Sequence, residues 1–191
     1  KATVDQLVEA MDGKLSIEDR FLLGQSLEHY RHLVNQVEEI TAVIKQYVLE
    51  RFEREYNLLI ELPGVSAIVA CVILSEIGPN VEAFQSQGNL ASWAGVCPGS
   101  YESAGIKKSS HTTQGNKYLK SSLFQAGGTA GRSKDEAFHN LYARISGRSS
   151  KMKAIIACAH KMIRVIYKIL STGEHYDTKK ALGLRQQARA I

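Results

Sequence analysis

At 191 residues, 44% of them hydrophobic, the chain is long enough to fill one core and carry an appended element. No run approaches the roughly 20 apolar residues of a membrane span, and residues 1–14 are mixed and charged rather than a leader peptide, so a cytoplasmic setting without a membrane is expected. Cys71, Cys97 and Cys158 are widely spaced without a CxxC motif, and the close pair His29 and His32 has no third ligand. That pattern excludes a disulfide framework and structural zinc, and no metal ligands are expected.

The net charge of +5 hides an asymmetry. Residues 1–100 hold 7 Lys+Arg against 14 Asp+Glu, net −7, whereas residues 101–191 hold 17 against 5, net +12. Between Ser103 and Gly173 the only acids are the neighbours Asp135 and Glu136. Ordinary solvated surfaces intersperse both signs, so the second half is built for a polyanion.

From Ser16 to Leu62 there is no proline and a single glycine, Gly24, and the stretch reads as one long helix. Tyr30, Val34, Val37, Thr41, Ile44 and Val48 alternate at spacings of four and three, a heptad-like seam widened by Leu33, Ile40 and Tyr47. Such a helix is on the order of 65 Å long, more than a small domain covers. Its stripe calls for a second helix, with a symmetry mate the simplest partner and a bundle within the chain the alternative. Pro63-Gly64 stops it, and Val65 to Ile77 follows as an almost wholly apolar helix ended by Gly78-Pro79.

The stretch "LLIELPGVSAIVACVILSEIG" resembles a helix-hairpin-helix, in which a tight PGV turn offers backbone N–H groups to a DNA phosphate. Gly64 and Ser66 are the candidate contacts, and Ser66 stands where that motif usually has a second glycine. An ordinary helical hairpin accounts for the same pattern.

A short helix around Asn89 to Ala94 leads into a Gly-, Ser- and Lys-rich loop, "GVCPGSYESAGIKKSSHTTQGN". Asn116 then opens a helix with Leu119, Leu123, Ala126 and Ala130 on one face, and Gly127-Gly128 within it imply close approach of another backbone. Helices over about 134–145 and 150–170 follow. In the latter Ile155, Ala159, Ile163, Ile166 and Leu170 form the core face and Lys161, Arg164 and Lys168 the opposite one. The tail from Thr178 to Ile191 reads as a further helix. With no alternating strand pattern of any length, the fold class is all-α: a coiled-coil-like helical segment over 1–61, a compact helical domain over 62–175 and a tail over 176–191.

Chemistry concentrates in the loop. Ser103 lies between glycines at 99 and 105, with Lys107 and Lys108 behind it and a helix N-terminus at Asn116, Lys117 and Lys120. Lysines, close-approaching glycine backbone and free N–H groups make a phosphate site. A serine near its normal pKa is a poor nucleophile without a base or metal, and His111 is the only candidate base nearby. Read from its surroundings alone, Ser103 is a turn or capping residue rather than a nucleophile.

Taken in order, the PGV hairpin, "WAGVCPG", "ESAG" and the "GN..L...L..A" helix resemble the C-terminal domain of the insertion sequence 110 transposase family, IS 110 / IS 116 / IS 902, over roughly residues 58–172. The preceding long helix is similar to that family's coiled-coil segment. The resemblance implies a DNA transposase in which the serine of the ESAG motif, here Ser103, attacks a DNA phosphodiester to give a covalent phosphoserine link. It also implies a structured guide RNA as a second partner, and an N-terminal RuvC-like domain whose acidic residues bind Mg²⁺. That domain lies outside this sequence, so this segment alone is expected to bind no Mg²⁺ and to be inactive. Gly105, Lys107, Lys108, Asn116, Lys117, Lys120, Lys161, Arg164 and Lys168, with Gly64 and Ser66, are the expected nucleic-acid contacts. Position 120 is Lys where relatives often have Arg, which keeps the charge and loses bidentate geometry. The alternative is a non-catalytic module for nucleic-acid binding and dimerisation.

Overall fold

The computed structural model describes residues 3–11, 13, 15–97, 99, 101–103, 106–109 and 111–183; the side chains of 10, 11, 101–103 and 106–109 fall outside that description. The described residues form eight helices and one short hairpin, so the class is all-α. They divide into two units, Lys1–Val43 and Ile44–Ile191.

The first unit holds α1 (Val4–Met11) and the greater part of α2 (Ile17–Ile60). A reciprocal cap starts α2: Asp19 N donates to Ser16 Oγ at 3.1 Å, and Ser16 Oγ donates to Asp19 Oδ2 at 3.0 Å. Within this unit Phe21, Leu27, Tyr30, Leu33, Val37 and Ile40 are exposed, so the seam read from the sequence is a bare apolar stripe.

The second unit begins inside α2 because Val48, Tyr56, Leu58 and Leu59 are core residues. The helix breaks at Phe52 (φ −139°, ψ 34°), where no proline or glycine stands but the Phe52 side chain packs onto that core. After Pro63-Gly64, α3 (Ala67–Ile77) starts at Ser66, whose hydroxyl accepts from Val69 N at 3.3 Å. Next come α4 (Gln87–Trp93), β1 (Tyr101–Ser103), β2 (Ile106–Ser109), α5 (Lys117–Arg132), α6 (Glu136–Ser146) and α7 (Lys151–Thr172). Each of α4 to α7 is capped by a side-chain oxygen, from Ser86, Asn116, Asp135 and Ser150 respectively.

The core is one cluster in which Leu59, Ile73, Leu90, Leu119, Leu123, Phe138, Met162, Ile163 and Ile166 are fully buried. Its helices pack closely through small residues. A Cβ on Gly127 would stand 2.7 Å from Ala159 N, so α5 and α7 meet backbone to backbone. Cys71 and Cys158 are buried, and burial pushes the Cys158 thiol up to about 11.

The last described helix, α8 (Thr178–Gly183), covers the first half of the helical tail expected from the sequence; residues 184–191 lie outside the described residues. A latch ties it down. Asp135 Oδ1 caps α6 while its Oδ2 accepts from Tyr176 Oη at 3.0 Å and Thr178 Oγ1 at 2.7 Å. Glu61 accepts from Tyr176 N and pairs with His175 Nδ1 at 2.8 Å.

Candidate functional site

The loop expected between α4 and α5 is a two-stranded ribbon. Asn116 N donates to Trp93 O at 3.1 Å, Thr113 N to Cys97 O at 3.3 Å, and Gly99 N to His111 O at 2.8 Å. The antiparallel register continues outward through Tyr101 opposite Ser109, Glu102 opposite Lys107 and Ser103 opposite Ile106, with an irregularity between the first two. Ser103 is therefore the last paired residue of β1. Gly105, expected as a phosphate contact, lies outside the described residues, as do the side chains of Ser103, Lys107 and Lys108.

Glycine lets the stem form. Gly95 adopts φ +71°, a left-handed conformation that a side chain disfavours, and a Cβ there would be 3.0 Å from the backbone of Gly115. A Cβ on Gly99 would stand 2.4 Å from His111 O.

The root of the ribbon is fixed to three helices. Asn116 Oδ1 accepts from Tyr118 N and Leu119 N, each at 3.0 Å, and its amide nitrogen donates to the Glu76 carboxylate on α3. Lys120 Nζ donates to Thr113 O at 2.9 Å. The N-terminus of α5, read from the sequence as an open anion site, is thus held by its own cap and faces a carboxylate. Lys117 remains exposed, its ammonium 4.8 Å from the Tyr118 ring centre. Sequence reasoning missed Glu76, because a charge that pairs 40 residues away leaves no local pattern.

Gly64 faces the scaffold, whereas Ser66 is exposed. With φ +83°, Gly64 lies so close to α5 that a Cβ would meet Ala126 O at 2.3 Å and Ala130 N at 2.7 Å. The PGV turn thus seats α3 against the helix that roots the ribbon, and the Ser66 hydroxyl is used on Val69 N.

Two of the three basic residues expected on the free face of α7 are half-buried and hydrogen-bonded to neighbouring helices. Lys161 Nζ donates to Ala137 O at 2.9 Å, its amine also 5.5 Å from the Phe138 ring centre, and burial holds it below the ordinary lysine range. Arg164 Nε donates to Gln87 Oε1 at 3.1 Å, tying α7 to α4. Lys168 is exposed. Further exposed cations cluster where α6 meets α7, at Arg144, Arg148, Lys151 and Lys153.

Among the described residues no group of three or more His, Cys, Asp or Glu stands together to hold a metal ion, and no helix is long and apolar enough to cross a membrane.

Residues 56–143, which run from the last turns of α2 through the ribbon to α6, match the model of the Transposase IS116/IS110/IS902 family. Over these residues the chain is similar to the IS116/IS110/IS902 transposase family. It is similar to a putative transposase of Sinorhizobium fredii, 27% identical over 156 residues, which are 78% of this chain and 39% of the relative. It is also similar to the pilin gene-inverting proteins of Moraxella lacunata and Moraxella bovis, 28% and 27% identical over 158 residues, 80% of this chain and 48% of each relative. The chain thus spans less than half the length of these curated relatives. The residues matched by the family model include the whole ribbon and the helices that root it.

Proposed function

We propose that this chain is the strand-exchange segment of a DNA transposase, in which the Ser103 hydroxyl attacks a DNA phosphodiester. A bond forms between Ser103 Oγ and phosphorus, the bond from phosphorus to one deoxyribose oxygen breaks, and the serine proton passes by way of solvent to the departing sugar oxygen. The DNA strand is then held as a phosphoserine ester, and reversal onto a different strand completes exchange.

The observation that carries this reading is the place of Ser103, the last paired residue of a ribbon whose stem is rooted on α3, α4 and α5. A rigid root with a serine at its far end suits attack on a large substrate that cannot enter a pocket. Lys107 and Lys108 on the returning strand supply positive charge for the extra negative charge of the pentacoordinate phosphorus.

Mg²⁺, where the reaction uses it, is bound by an N-terminal RuvC-like domain outside this sequence, which leaves the segment alone inactive. Two copies pair through the α2 stripe, a structured guide RNA is a second partner, and the protein works in the bacterial cytoplasm at the nucleoid.

The test uses the full-length protein with its nucleic-acid partners. The parent should give a denaturant-resistant protein–DNA adduct that mass spectrometry maps to Ser103, and Ser103→Ala should bind DNA without linking or recombining. A recombining Ser103→Ala protein, or an adduct on Ser100 or Ser109, overturns the assignment. A full-length parent that binds DNA but never forms an adduct favours the non-catalytic module.

A further inference from the structure

We propose that the corner between α6 and α7 is a separate duplex-DNA contact of this protein, gripping the phosphodiester backbone away from the ribbon. The inference rests on the reading of the chain as a DNA transposase segment. Arg144 in the last turn of α6, Arg148 in the connection, and Lys151 and Lys153 in the first turn of α7 are all exposed, and no ion pair among the described residues involves any of them. Met152 between the two lysines is 58% exposed.

The sequence at this corner runs against local stability. Helix N-termini carry partial positive charge and favour acidic residues. Asp5 follows that rule at α1, Glu18 and Asp19 at α2, and Asp135 and Glu136 at α6, whereas α3, α4, α5, α7 and α8 have no acid in the first turn; at α5 the Asn116 cap and the Glu76 carboxylate offset Lys117 and Lys120. The first turn of α7 has no acid and two lysines, with Arg148 just before it. Arg148, Lys151 and Lys153 stand at the positive end of α7, where they repel one another and the dipole, and a polyanion laid across them removes that cost; Arg144, at the C-terminal end of α6 where the dipole favours a cation, adds its charge to the corner. Departures from local rules of this kind belong to functional surfaces.

Cations elsewhere on α7 are differently disposed. Lys161 and Arg164 lie further along the helix and are taken up by Ala137 O and Gln87. About 20 Å of helix separates Lys151 from Arg164, which marks the level of α4 and so of the ribbon's root. Neutralising the corner should therefore leave the ribbon and its reaction intact. Duplex DNA is the occupant that the positive charge of the corner and the similarity to transposases favour.

The experiment measures binding of the full-length protein to a labelled duplex and to an RNA hairpin of equal length, from about 50 to about 300 mM salt. The parent is compared with Arg148→Gln/Lys151→Gln/Lys153→Gln and with a charge-matched Arg20→Gln/Arg31→Gln/Lys45→Gln protein. If three phosphates are engaged, the corner variant's slope of log affinity against log salt on duplex is shallower by about 2.7, and that of Lys151→Gln alone by about 0.9. The matched control should keep the parental slope, and the corner variant at saturating DNA should still form the Ser103 adduct. An unchanged slope, an equal loss in the control, or a loss confined to RNA overturns the proposal. Because binding is read apart from linkage, absence of an adduct from the parent would count against the Ser103 reading and leave this one standing.

Discussion

A Cβ built on Gly115 would stand 2.4 Å from the amide nitrogen of Gly95, so the two strands at the ribbon's root cross with room only for hydrogen. Gly95 is itself held at φ +71° and cannot slide away without breaking the turn that follows α4. Gly115→Ala should therefore open the root. The expected cost is about 1–3 kcal/mol of stability, as for other overpacked sites. The rate of adduct formation should fall further, by up to about 100-fold, because displacing a reacting group by an ångström is expensive. Thermal melting and single-turnover linkage check this, and a variant matching the parent in both would show that the contact does not set the ribbon.

Two glycines in helices should respond with opposite sign. At Gly127 a Cβ would press on Ala159 N at 2.7 Å and Ala159 Cα at 3.1 Å, so Gly127→Ala should destabilise by about 1–3 kcal/mol even though alanine favours the helix by about 1 kcal/mol. Gly24, within α2, has nothing within 4 Å of its Cβ position, and Gly24→Ala should gain about 1 kcal/mol of helix stability. Denaturant midpoints and helicity read both changes; a stabilised Gly127→Ala protein would refute the packing account.

How far the sequence disclosed this arrangement depends on whether the signal was local. Ser66, Asn116 and Ser150 each cap a helix within a residue or two of where the apolar period begins, and Pro63-Gly64 and Gly78 stop helices where expected. The ribbon was not legible as strands, because its stem pairs Cys97 with Thr113 and Gly99 with His111 through backbone alone, without alternating side chains. Lys161 and Arg164 do lie opposite the core face of α7, yet the ends of α6 and α4 cover them. A helical period tells which face is polar; it does not tell which polar face a neighbour will cover. Gly64 shows the same limit: its PGV turn suits a phosphate or a helix, and only packing against Ala126 and Ala130 reveals the helix.

The apolar stripe of α2 makes a prediction of its own. Val37 is 63% and Ile44 47% exposed, at heptad positions where a partner helix would insert. Sedimentation of the protein should show a dimer or a larger species that Val37→Lys/Ile44→Lys makes lighter or less soluble. A stable monomer both before and after the change would mean that α2 does not pair in this way.

The Asp135–Tyr176 latch predicts a pH dependence with a definite sign. Burial, then the Asp135 charge and the hydrogen bond to it, raise the Tyr176 phenol above its ordinary value. In the folded chain Tyr176 keeps its proton at pH values where an unfolded tyrosine, near 10, has lost it. The native state then binds more protons than the unfolded state, and stability must fall as pH rises. The latch's contribution is thus complete below about pH 10 and is lost above it. Tyr176→Phe removes the titrating group together with its bond to a carboxylate, and such bonds are worth about 1.5–3 kcal/mol where the pair is charged. At neutral pH the phenylalanine protein should melt lower than the parent, and the gap between them should close as the pH passes about 10. Taking the difference between the two proteins cancels the titration of every other tyrosine and lysine. Asp135→Ala should open the latch by the other route, removing the acceptor for Ala137 N and Phe138 N as well, for about 1 kcal/mol of lost capping. A gap between parent and Tyr176→Phe that stays constant from pH 7 to 11 would show that the phenol does not keep its proton in the folded chain, and the latch would then have to be reassigned to Thr178 and Glu61.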